Sequence, residues 1–594
     1  MRSLAEVAYT QWQRDALQVR DVPEQFSADE TEVLSRHFTN TDGPVFALVN
    51  LPEEVKGALF ARYSRSAKSL RRLFLDEFAD DAGAWDGRST PMGTGPRARA
   101  LYERAFTGYG DDSVAQLGSA HLACEQASNI LTKVLERGRL MSYLEQSTRY
   151  VRYDGRRPDG SWRYYVPPEL EGSHLERPYR ASLDAAFEDY AGLLEAMIGH
   201  YSRLFPRTAG EPEAAWRRAV RAKALDTVRG VLPAATLSNL GVYGSGQAYE
   251  ALLIRMRAHP LAEVRSYSDM MLAELRKVIP SLVARVDMAE RGAARSRYLK
   301  TNDAELHRLA AELPWLAPCP AQAVSLVDFD PGAEDKLVAS ALYAYSDRSQ
   351  AELRAQVADM TQDDKTAVLR AFVGDRRDRR DRPGRALEQP VYSFDVLADY
   401  GAFRDMQRHR MLSIEWQDLS PAHGYDLPSA LAEAGQEARF HRAMGRSADL
   451  YGMLSESGHV LSARYTVALA YKARFKMTMN AREAMHVLEL RSSPQGHDSY
   501  RRLAQEMHRQ IAEVAGHRAI AQMMCFVDHS RSGGRANGAD RLNRLSSEVA
   551  NEARRSAFDR SVRVTSVGQA RRLPTSKGKE NKKNGRVSPS TTPP

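Results

Sequence analysis

Hydrophobic and polar positions follow the same order in two distant stretches of the chain. In the first, "AHLACEQ" is predicted to form a strand, and Ser128 is placed to cap the helix "NILTKVLERG" that stops at Gly138. In the second, the alternation in "VYSFDV" is typical of a half-buried strand, and a helix is predicted from Asp399 towards Arg410. Each stretch then continues into an arginine pair and a polar loop, so the pattern predicts two similar units.

Each unit also carries a later amphipathic helix with one arginine among apolar residues. These helices are "EALLIRMRAH" around Arg255 and "MHVLELRSS" around Arg491. The repeated order of strand, helix, arginine pair, loop and long helix indicates an internal duplication, which is weak at the level of single residues.

The stretch between the two units is mostly helical and ends in "GDRRDRRDRPGR", residues 374–385. Its mixed charges, proline and glycines are typical of an exposed connection. We therefore divide the chain into a first domain (1–330), a helical connection with the start of the second copy (331–385), a second domain (386–535) and a basic tail (536–594). The tail is rich in Lys, Ser and Pro and poor in apolar residues, which predicts disorder.

Length and composition narrow the class of protein. At 594 residues the chain exceeds one ordinary core, so at least two domains are expected. No apolar run reaches about 18 residues and the N-terminus lacks an apolar signal core, so neither a membrane span nor secretion is predicted. Cys124, Cys319 and Cys525 match no metal-ligand spacing, which favours a reducing cytoplasm and no metal site. The net charge of +8 permits an anionic partner, but part of the excess lies in the tail, and nucleic-acid binding is the less favoured interpretation.

The candidate chemistry begins in "LERGRLMSYLEQSTRYVRYD". Glu145, Ser147 and Arg149 form an E-x-S-x-R loop that offers a carboxylate, a hydroxyl, backbone N–H groups and a guanidinium. Such a set suits a phosphate together with a polar ring, because arginine binds phosphate in a bidentate manner. The competing interpretation is a surface loop whose charges pair among themselves, and such pairs are worth little.

Further arginines favour the binding interpretation. Arg229 in "VRGVLP" precedes an apolar run, and Arg255 lies on an apolar helix face, where a buried arginine needs an anionic partner. In the second half, Arg482 and His486 share one face of a predicted helix, and Asn480 shares another with Arg491. This helix is therefore predicted to serve two ligands, such as a flat ring and a phosphate. A lone histidine at such a position is more often a satisfied core residue.

These residues resemble the signature of the flavin-dependent thymidylate synthases, R-H-R-x-x-S-x-N-E-x-S-x-R-Y. Residues 137–150 read "RGRLMSYLEQSTRY", with Gly138 in place of the histidine and Leu144 in place of the asparagine. "VRGVLP" is similar to the family's A-R-x-x-L-P, and Arg255 and His259 stand at the later substrate arginine and histidine. Upstream, "GYGDDSVAQ" resembles the family's G-H-x-S-x-x-E.

The two halves depart from the family pattern in opposite ways. In the first, Gly244 and Gly246 replace the flavin-contacting Asn and Arg, whereas the second keeps that pair as Asn480 and Arg482. In the second half, the positions of the loop Glu, Ser and Arg are taken by Trp416, Asp418 and Ser420. We therefore expect active sites shared between the halves, where the loop of the first meets the 480–491 helix of the second.

The resemblance implies an α/β (α+β) fold with two tandem copies, each a mostly antiparallel sheet with long helices. It implies C5 methylation of dUMP to dTMP, with methylenetetrahydrofolate as carbon donor, FAD as cofactor and NADPH as reductant. It also implies a homodimer that forms a pseudo-tetramer. The chemistry would belong to the flavin, since no cysteine lies in the matched motifs, and arginines would clamp the phosphate and polarise the uracil carbonyls.

The residues assigned on this basis fall into three groups. The catalytic group is Arg149, Arg255 and Arg491. The substrate-binding group is Glu145, Ser147, Arg149, Arg229 and Arg464. The cofactor-binding group is Arg137, Arg139, Arg408, His409, Arg410, Asn480, Arg482, His486 and Arg491. Ser147 is expected to anchor the phosphate and the loop, since no neighbouring base would activate it for attack.

Two other functions stay open. One is an enzyme that methylates or hydroxymethylates another pyrimidine nucleotide, UMP or dCMP, which the changes at Gly138 and Leu144 leave possible. The other is a non-catalytic binder of nucleotides or nucleic acid that uses the basic tail.

Overall fold

The computed structural model describes residues 24–79, 116–315, 322–530 and 550, except positions 52, 65, 117, 210 and 495. Most of "GYGDDSVAQ" and nearly all of the predicted basic tail lie outside the described residues. No described helix has both the length and the apolar composition needed to cross a membrane.

Two four-stranded antiparallel sheets with the same strand order form the centre of the molecule. The first has the order β1-β2-β4-β3, with β1 Val45–Ala47, β2 Ser119–Ser128, β3 Met141–Glu145 and β4 Leu237–Ser245. The second has the order β5-β6-β8-β7, with β5 Val324–Phe329, β6 Val391–Asp399, β7 Ser413–Trp416 and β8 Lys472–Asn480. The predicted fold class, two α/β (α+β) modules with antiparallel sheets and long helices, is confirmed.

Helices cover these sheets and connect them. In the first module they are α1 Ala28–His37, α2 Glu53–Tyr63, α3 Leu70–Glu77, α4 Asn129–Leu135, α5 Glu176–Leu204, α6 Glu213–Val228, α7 Gly246–Ala258, α8 Ala262–Val278 and α9 Gly292–Glu312. From there on they are α10 Ala333–Tyr343, α11 Gln350–Ala358, α12 Gln362–Val373, α13 Tyr400–Met406, α14 Ser429–Glu433, α15 Glu437–Glu456, α16 Val460–Ala463, α17 Ala481–Arg491, α18 Asp498–Glu513 and α19 Arg518–Met523.

Equivalent side-chain caps begin equivalent helices in the two modules. Ser128 Oγ accepts the Leu131 N–H at the start of α4, and the Asp399 carboxylate accepts the Ala402 N–H at the start of α13. Each cap satisfies a backbone donor that the first helical turn leaves unpaired. Both helices end earlier than predicted, at Leu135 and Met406, because the chain turns there towards the next strand.

The second sheet takes its first strand from a segment that the sequence-based division placed in the first domain. Residues 324–329 pair with β6, so this strand belongs to the second sheet. The 374–385 segment, predicted to be an exposed connection, also makes a buried contact. Arg376 forms an ion pair with Glu489 of α17 at 2.6 Å, and both side chains are almost fully buried. The burial of Arg376 could not be predicted from the sequence, because the neighbouring arginines and aspartates of this segment look the same.

The two modules share one hydrophobic core and a direct backbone contact. The Ala235 N–H donates to the Tyr465 carbonyl at 2.8 Å, and the Leu469 N–H donates to the Leu232 carbonyl at 2.9 Å. The rings of Tyr165 and Tyr465 pack with centroids 4.9 Å apart. Backbone pairing between the segments that follow Arg229 and Arg464 therefore fixes how the modules meet.

A small N-terminal subdomain braces the loop of the first module. Helices α1 to α3 and part of the first sheet form a separate hydrophobic cluster. From it, the Ser64 carbonyl accepts the Ser147 N–H at 3.0 Å, and the Ser66 carbonyl accepts the Gln146 side-chain amide. This subdomain therefore holds the 145–149 loop from outside the shared core.

Glu263 of α8 is a buried acid at the junction of the modules. Its carboxylate accepts hydrogen bonds from Ser128 N at 2.9 Å, Ser128 Oγ at 2.7 Å and Tyr465 Oη at 2.9 Å. Burial raises the pKa of Glu263 to about 7, although these donors favour the charged form.

We expect Glu263 to lower stability as the pH rises from about 4.5 to 7. Across this window the unfolded state has lost the proton and the folded state retains it, so the folded state binds more protons and stability falls with pH. The free energy of unfolding of Glu263→Gln, relative to the native chain, should therefore increase by up to about 3 kcal/mol between pH 5 and pH 8. Urea denaturation at both pH values measures this difference. A difference that does not change with pH would contradict the prediction.

Candidate active site

The arginines that follow α4 and α13 contact the opposite module in the same way. Arg139 donates to Ser413 Oγ at 2.8 Å, and Arg410 donates to Ser142 Oγ at 3.2 Å. Each guanidinium also donates to the carbonyl of the residue before that serine. The modules are therefore related by an approximate two-fold axis, which creates two equivalent positions at their interface. We call the one that contains residues 145–149 the loop site, and the other the mirror site.

Glu145 is the anchor of the loop site. Its fully buried carboxylate accepts hydrogen bonds from Arg404 at 2.7 Å, Arg408 at 3.0 Å and Lys133 at 3.1 Å. Burial alone would raise the pKa of Glu145, but these three cations hold it well below its usual range. Glu145 thus joins β3 to α13 of the second module, and its oxygens are occupied by protein cations.

A second set of alternating charges crosses the interface beside Glu145. Asp226 lies 3.4 Å from Arg149 and 3.6 Å from Arg229, all in the first module. Asp405 of the second module lies 3.6 Å from Arg229 and 3.8 Å from Arg491. Burial opposes ionisation, but the surrounding arginines hold the pKa of both aspartates below the usual range. A row of ion pairs, from Arg149 through Asp226, Arg229 and Asp405 to Arg491, therefore links the 145–149 loop to α17 within one chain.

A cavity of about 280 Å³ opens at this row of charges, between the two modules. Its charged lining residues are Arg149, Lys223, Arg229, Arg502, Asp226, Asp399, Asp426 and Asp498. Its volume is close to the lower end for ligand pockets, which is about 300 Å³. Acids and bases are balanced along the wall, so the cavity suits a ligand that carries both an anionic group and hydrogen-bond donors.

Arg229 is the group that points to an anion. Its side chain is almost fully buried and lines the cavity. Its Nη2 lies 3.6 Å from the Asp405 carboxylate, beyond hydrogen-bonding distance, and donates no hydrogen bond to any described residue. A buried donor without an acceptor is costly, and an anion in the cavity would supply one. Ser147 does not line the cavity; its backbone N–H is bound to Ser64 and its hydroxyl accepts the Arg149 N–H at 3.3 Å.

The first turns of α17 face a second cluster of polar residues. Asn480 caps the helix by accepting the Glu483 N–H at 2.9 Å, and Arg482 donates to the Pro383 carbonyl at 3.1 Å. Arg382 contacts His486 Nδ1 at 3.0 Å. Burial raises the pKa of the Glu483 carboxyl, while the charges of Arg382, Arg482 and Arg410 oppose this rise. We call these residues the helix cluster.

His409 links the helix cluster to the loop site. Its Nε2 accepts the Arg491 Nε–H at 2.9 Å, and its ring lies 5.4 Å from that of His486 in an edge-on contact. Burial and the Arg491 charge lower the pKa of His409 to about 3, and burial with His409 lowers that of His486 to about 4. Both rings are therefore neutral near pH 7 and orient Arg491 through hydrogen bonding and packing.

The mirror site is built differently. Arg137 pairs with Glu415 at 2.8 Å and stacks over Trp416 at 5.1 Å, where Arg408 has Glu145 in the loop site. Arg464 pairs with Asp418. Arg255 is partly buried, and burial with the Arg137 charge lowers its pKa. None of these arginines lines the cavity.

The structure thus divides the residues assigned from the sequence. The loop site brings together Glu145, Ser147, Arg149, Arg229, Arg408 and Arg491; the helix cluster holds His409, Arg410, Asn480, Arg482 and His486; Arg139 lies at the interface; and the mirror site holds Arg137, Arg255 and Arg464. Where the sequence offered Arg229 or Arg464, Arg229 lines the cavity; where it offered Arg255 or Arg491, Arg491 is linked to Arg229 through Asp405 without lining the cavity itself.

Sequence reasoning missed Asp226 and Asp405 of the loop site, and Arg382 of the helix cluster. Asp226 and Asp405 each stand three residues before an arginine, Arg229 and Arg408, a spacing that places the two side chains on one helical face. This spacing was the available signal. In the described part of the chain, no group of three or more His, Cys, Asp or Glu residues is arranged to hold a metal ion.

Comparison with known proteins decides the family. A family model described as thymidylate synthase complementing protein matches residues 59–281 and 325–516, which include most of both modules. The chain belongs to this family. The resemblance to flavin-dependent thymidylate synthases is thereby confirmed.

Some relatives of this member of the thymidylate synthase complementing family match most of the chain, and others match about a third of it. A UPF0159 protein of Chlamydia pneumoniae is 38% identical over 513 residues, 85% of this chain and 96% of its own. A UPF0159 protein of Thermoplasma acidophilum is 30% identical over 520 residues, 83% of this chain and 98% of its own. The flavin-dependent thymidylate synthase of Mycobacterium marinum is 31% identical over 187 residues, 31% of this chain and 68% of its own. Among solved structures, the UMP/dUMP methylase PolB from Streptomyces cacaoi, bound with 5-Br dUMP, is 19% identical, covers 34% of this chain and 97% of its own, and has a TM-score of 0.27.

We expect Glu145→Gln to destabilise the folded chain by about 3–5 kcal/mol, because it leaves buried cations without their counter-charge. The matched control is Glu415→Gln, at the mirror site, where the carboxylate is 70% exposed and its loss should cost less than about 1 kcal/mol. Urea denaturation of both variants gives the two values. Equal losses would show that Glu145 does not anchor the interface.

Proposed function

We propose that this protein is an FAD-dependent enzyme that methylates dUMP at C5 to give dTMP, with methylenetetrahydrofolate as carbon donor and NADPH as reductant. Membership of the thymidylate synthase complementing family and the flavin-dependent relatives support this class of reaction. The observation that carries the proposal is the cavity between the modules, where the buried Arg229 has a donor without an acceptor.

The nucleotide phosphate is assigned to Arg149 and Arg229. Both line the cavity, and Asp226 between them fixes the direction of their guanidinium groups. A phosphate at Arg229 Nη2 would complete the hydrogen bonding of a donor that folding has already removed from water. Ser147 acts on the phosphate indirectly, by turning the loop that carries Arg149.

We assign the pyrimidine ring to Arg491, which Asp405 links to Arg229 in the cavity wall. This guanidinium is held from two sides, by His409 Nε2 and by the Asp405 carbonyl, to which it donates. A fixed positive group beside a ring carbonyl stabilises the enolate that forms as C5 becomes nucleophilic. His409 and Asp405 therefore position Arg491 before the substrate arrives.

FAD is assigned to the helix cluster. The charges of Arg382, Arg410 and Arg482 act on Glu483, and Arg482 also pairs with Glu388 at 3.4 Å, so three guanidinium groups outnumber two carboxylates in the cluster. This excess fits the diphosphate of FAD, and α17 joins it directly to Arg491. When bound, the flavin supplies the redox chemistry, while these residues hold and orient it.

The described cysteines do not offer a nucleophile at the cavity. Cys124 is buried in β2, and burial raises its pKa to about 12. Cys525 is exposed on the surface, and neither residue lines the cavity. The two free thiols agree with a cytoplasmic location, which we propose for this protein.

One complete site per chain follows from the difference between the two interface positions. The loop site has the cavity, with Arg149 and Arg229 in its wall and Arg491 linked to Arg229 through Asp405, whereas the mirror site engages Arg137 and Arg464 with exposed acids. We propose that the labour is divided between a first module with the loop and a second, residues 386–535, with α17, and that two chains form a pseudo-tetramer.

A related substrate is the second candidate. Because Glu145 is occupied by protein cations, it leaves recognition of the base to other groups, and UMP or dCMP remain alternatives to dUMP. Assays of methyl or hydroxymethyl transfer on dUMP, UMP and dCMP distinguish them. A protein that binds no FAD and turns over none of the three would instead be a nucleotide or nucleic-acid binder.

We expect Arg229→Lys to weaken dUMP binding about ten- to a hundredfold, since lysine keeps the charge but loses the planar pair of donors. The matched control is Arg464→Lys at the mirror site, which should change affinity less than about threefold. Titration calorimetry gives both affinities, together with a stoichiometry of one nucleotide per chain. Equal weakening by both variants, or two nucleotides per chain, would refute a single loop site.

We expect Arg149→Ala and Arg482→Ala each to abolish most activity, and a mixture of the two variants to remain inactive. The ion pairs that link the loop to α17 all lie inside one chain, so on this proposal no mixed assembly regains an intact site. Arg482→Ala should also lose the flavin absorbance that Arg137→Ala at the mirror site retains. Activity restored by mixing would place the site between chains, and full flavin content in Arg482→Ala would remove FAD from the helix cluster.

A further inference from the structure

The segments that precede β4 and β8 make the same contacts with each other, so their residues can be compared one by one. The Ala235 N–H donates to the Tyr465 carbonyl at 2.8 Å. Its counterpart, the Ala470 N–H, donates to the Gly230 carbonyl, also at 2.8 Å. The approximate two-fold axis therefore places Gly230 in the loop site where the mirror site has Tyr465.

A second pair of positions is related in the same way. Tyr164 forms a β-bridge with the residue before β4, and Tyr425 forms the same bridge with the residue before β8. The next residue along the chain is Tyr165 in the first module and Asp426 in the second. At two positions of the interface, the mirror site thus has a tyrosine that the loop site lacks.

These two tyrosines fill the mirror site with protein groups. The rings of Tyr165 and Tyr465 pack with centroids 4.9 Å apart, and both residues are buried. The Tyr465 hydroxyl donates to the Glu263 carboxylate at 2.9 Å. Two six-membered rings, one of which carries a donor towards a carboxylate, therefore complete this position.

In the loop site the same space is open. Gly230 has no side chain, and the Asp426 carboxylate pairs with Lys472 at 2.7 Å and is 82% exposed, so it faces solvent. Both residues line the cavity of about 280 Å³. The cavity therefore occupies the position that two tyrosine rings fill in the mirror site.

A carboxylate faces this space in both sites. In the mirror site, the Ser128 hydroxyl donates to Glu263 at 2.7 Å. In the loop site the acid and the hydroxyl have exchanged places, since the Ser499 hydroxyl donates to Asp399, which lines the cavity. An ionised carboxylate has about four acceptor positions, and among the described residues Ser499 and Ala402 donate one bond to each oxygen of Asp399. Each oxygen therefore retains an acceptor position for a ligand.

The two oxygens of Asp399 select a ring with two adjacent donors. A pterin ring has such a pair, its amino group and the neighbouring ring N–H, whereas the uracil ring has a single N–H between two carbonyls. The bicyclic pterin also matches the two six-membered rings of the mirror site in size.

The cavity also has cations for an acidic group on the ligand. Lys223 of α6 and Arg502 of α18 line it from opposite modules. The Lys223 ammonium lies 5.5 Å from the centre of the Tyr201 ring, and the Arg502 guanidinium donates to the Asp498 carbonyl at 3.4 Å. Neither of these contacts neutralises the positive charge.

We propose that the space lined by Gly230, Asp399 and Asp426, which we call the ring slot, binds methylenetetrahydrofolate, the carbon donor of the proposed reaction. Its pterin ring takes the place of the two mirror-site tyrosines and donates to Asp399. Its glutamate carboxylates bind Lys223 and Arg502. This site depends on the proposed function, to which it adds the position of the second substrate beside the phosphate arginines.

Titration calorimetry with tetrahydrofolate, on the full chain saturated with FAD and dUMP, tests the ring slot. Gly230→Tyr places the mirror-site ring in the slot and should weaken binding at least about 100-fold. The equivalent Tyr465 is accommodated opposite Ala235, so this backbone accepts a tyrosine. The matched control, Gly445→Tyr, adds the same side chain at an exposed position of α15 with no atom within 4 Å, and should bind as the native chain does.

A second variant tests the carboxylate without filling the slot. Asp399→Asn keeps the cap of α13, because asparagine caps helices as well as aspartate, but removes the charge and one acceptor oxygen. The affinity for tetrahydrofolate should fall about tenfold or more. The control Asp395→Asn lies on the same strand, away from the cavity, where the carboxylate pairs with Arg474, and should change the affinity less than about threefold.

The outcomes separate the ring slot from the reaction. Unchanged tetrahydrofolate affinity in Gly230→Tyr, in a chain that binds dUMP, would overturn the slot and leave the proposed function standing. A native chain that binds neither dUMP nor tetrahydrofolate would overturn the proposed function itself. If Gly230→Tyr loses the native circular dichroism spectrum, Asp399→Asn decides, and an affinity equal to that of Asp395→Asn would overturn the slot.

Discussion

Two carboxylates shared among arginines hold the loop site together. Asp405 of the second module lies between Arg229 of the first and Arg491 of α17, and Glu145 of the first accepts from Arg404 and Arg408 of the second. Opposite charges in a poorly hydrated interior resist separation, so neither module can shift without exposing an unpaired charge. The cavity, the orientation of Arg229 and the position of Arg491 all depend on this contact.

The same interface position has diverged in the two copies. Glu145 requires several buried cations, whereas Trp416 needs only one arginine stacked at the surface. A fused chain tolerates this difference because its two unlike halves are always joined to each other. In an assembly of identical subunits, a change at the loop would appear in every site at once. Covalent linkage therefore allows one position to keep the E-x-S-x-R loop while the other becomes a structural contact.

Structural features that depend on residues close together in the sequence could be predicted. The cap at Ser128, the start of a helix at Asp399, the strands that precede them and the duplication follow from local patterns of polarity and hydrogen bonding. The helix ends were less accurate, because the turn into the next strand depends on tertiary contacts. The family motifs also singled out the arginines that line or approach the cavity.

The contacts between the two modules could not be predicted from local sequence patterns. Arg229 and Arg464 occupy equivalent sequence positions, and only the fold shows that one lines the cavity and the other pairs with Asp418. Asp226 and Asp405 look like ordinary helix-surface acids until the second module covers them. The burial of Arg376 could not be predicted either, because this residue lies within a run of exposed charges. Burial by a distant segment decides the role of each of these residues.

The brace on the 145–149 loop has an evolutionary consequence. Its main contact joins the Ser147 N–H to the carbonyl of Ser64, so it is made from backbone alone. Any amino acid at position 64 presents that carbonyl equally well. The bracing segment is therefore free to drift in sequence among homologues while the turn it supports keeps its shape, and an alignment would show variability at a place that matters.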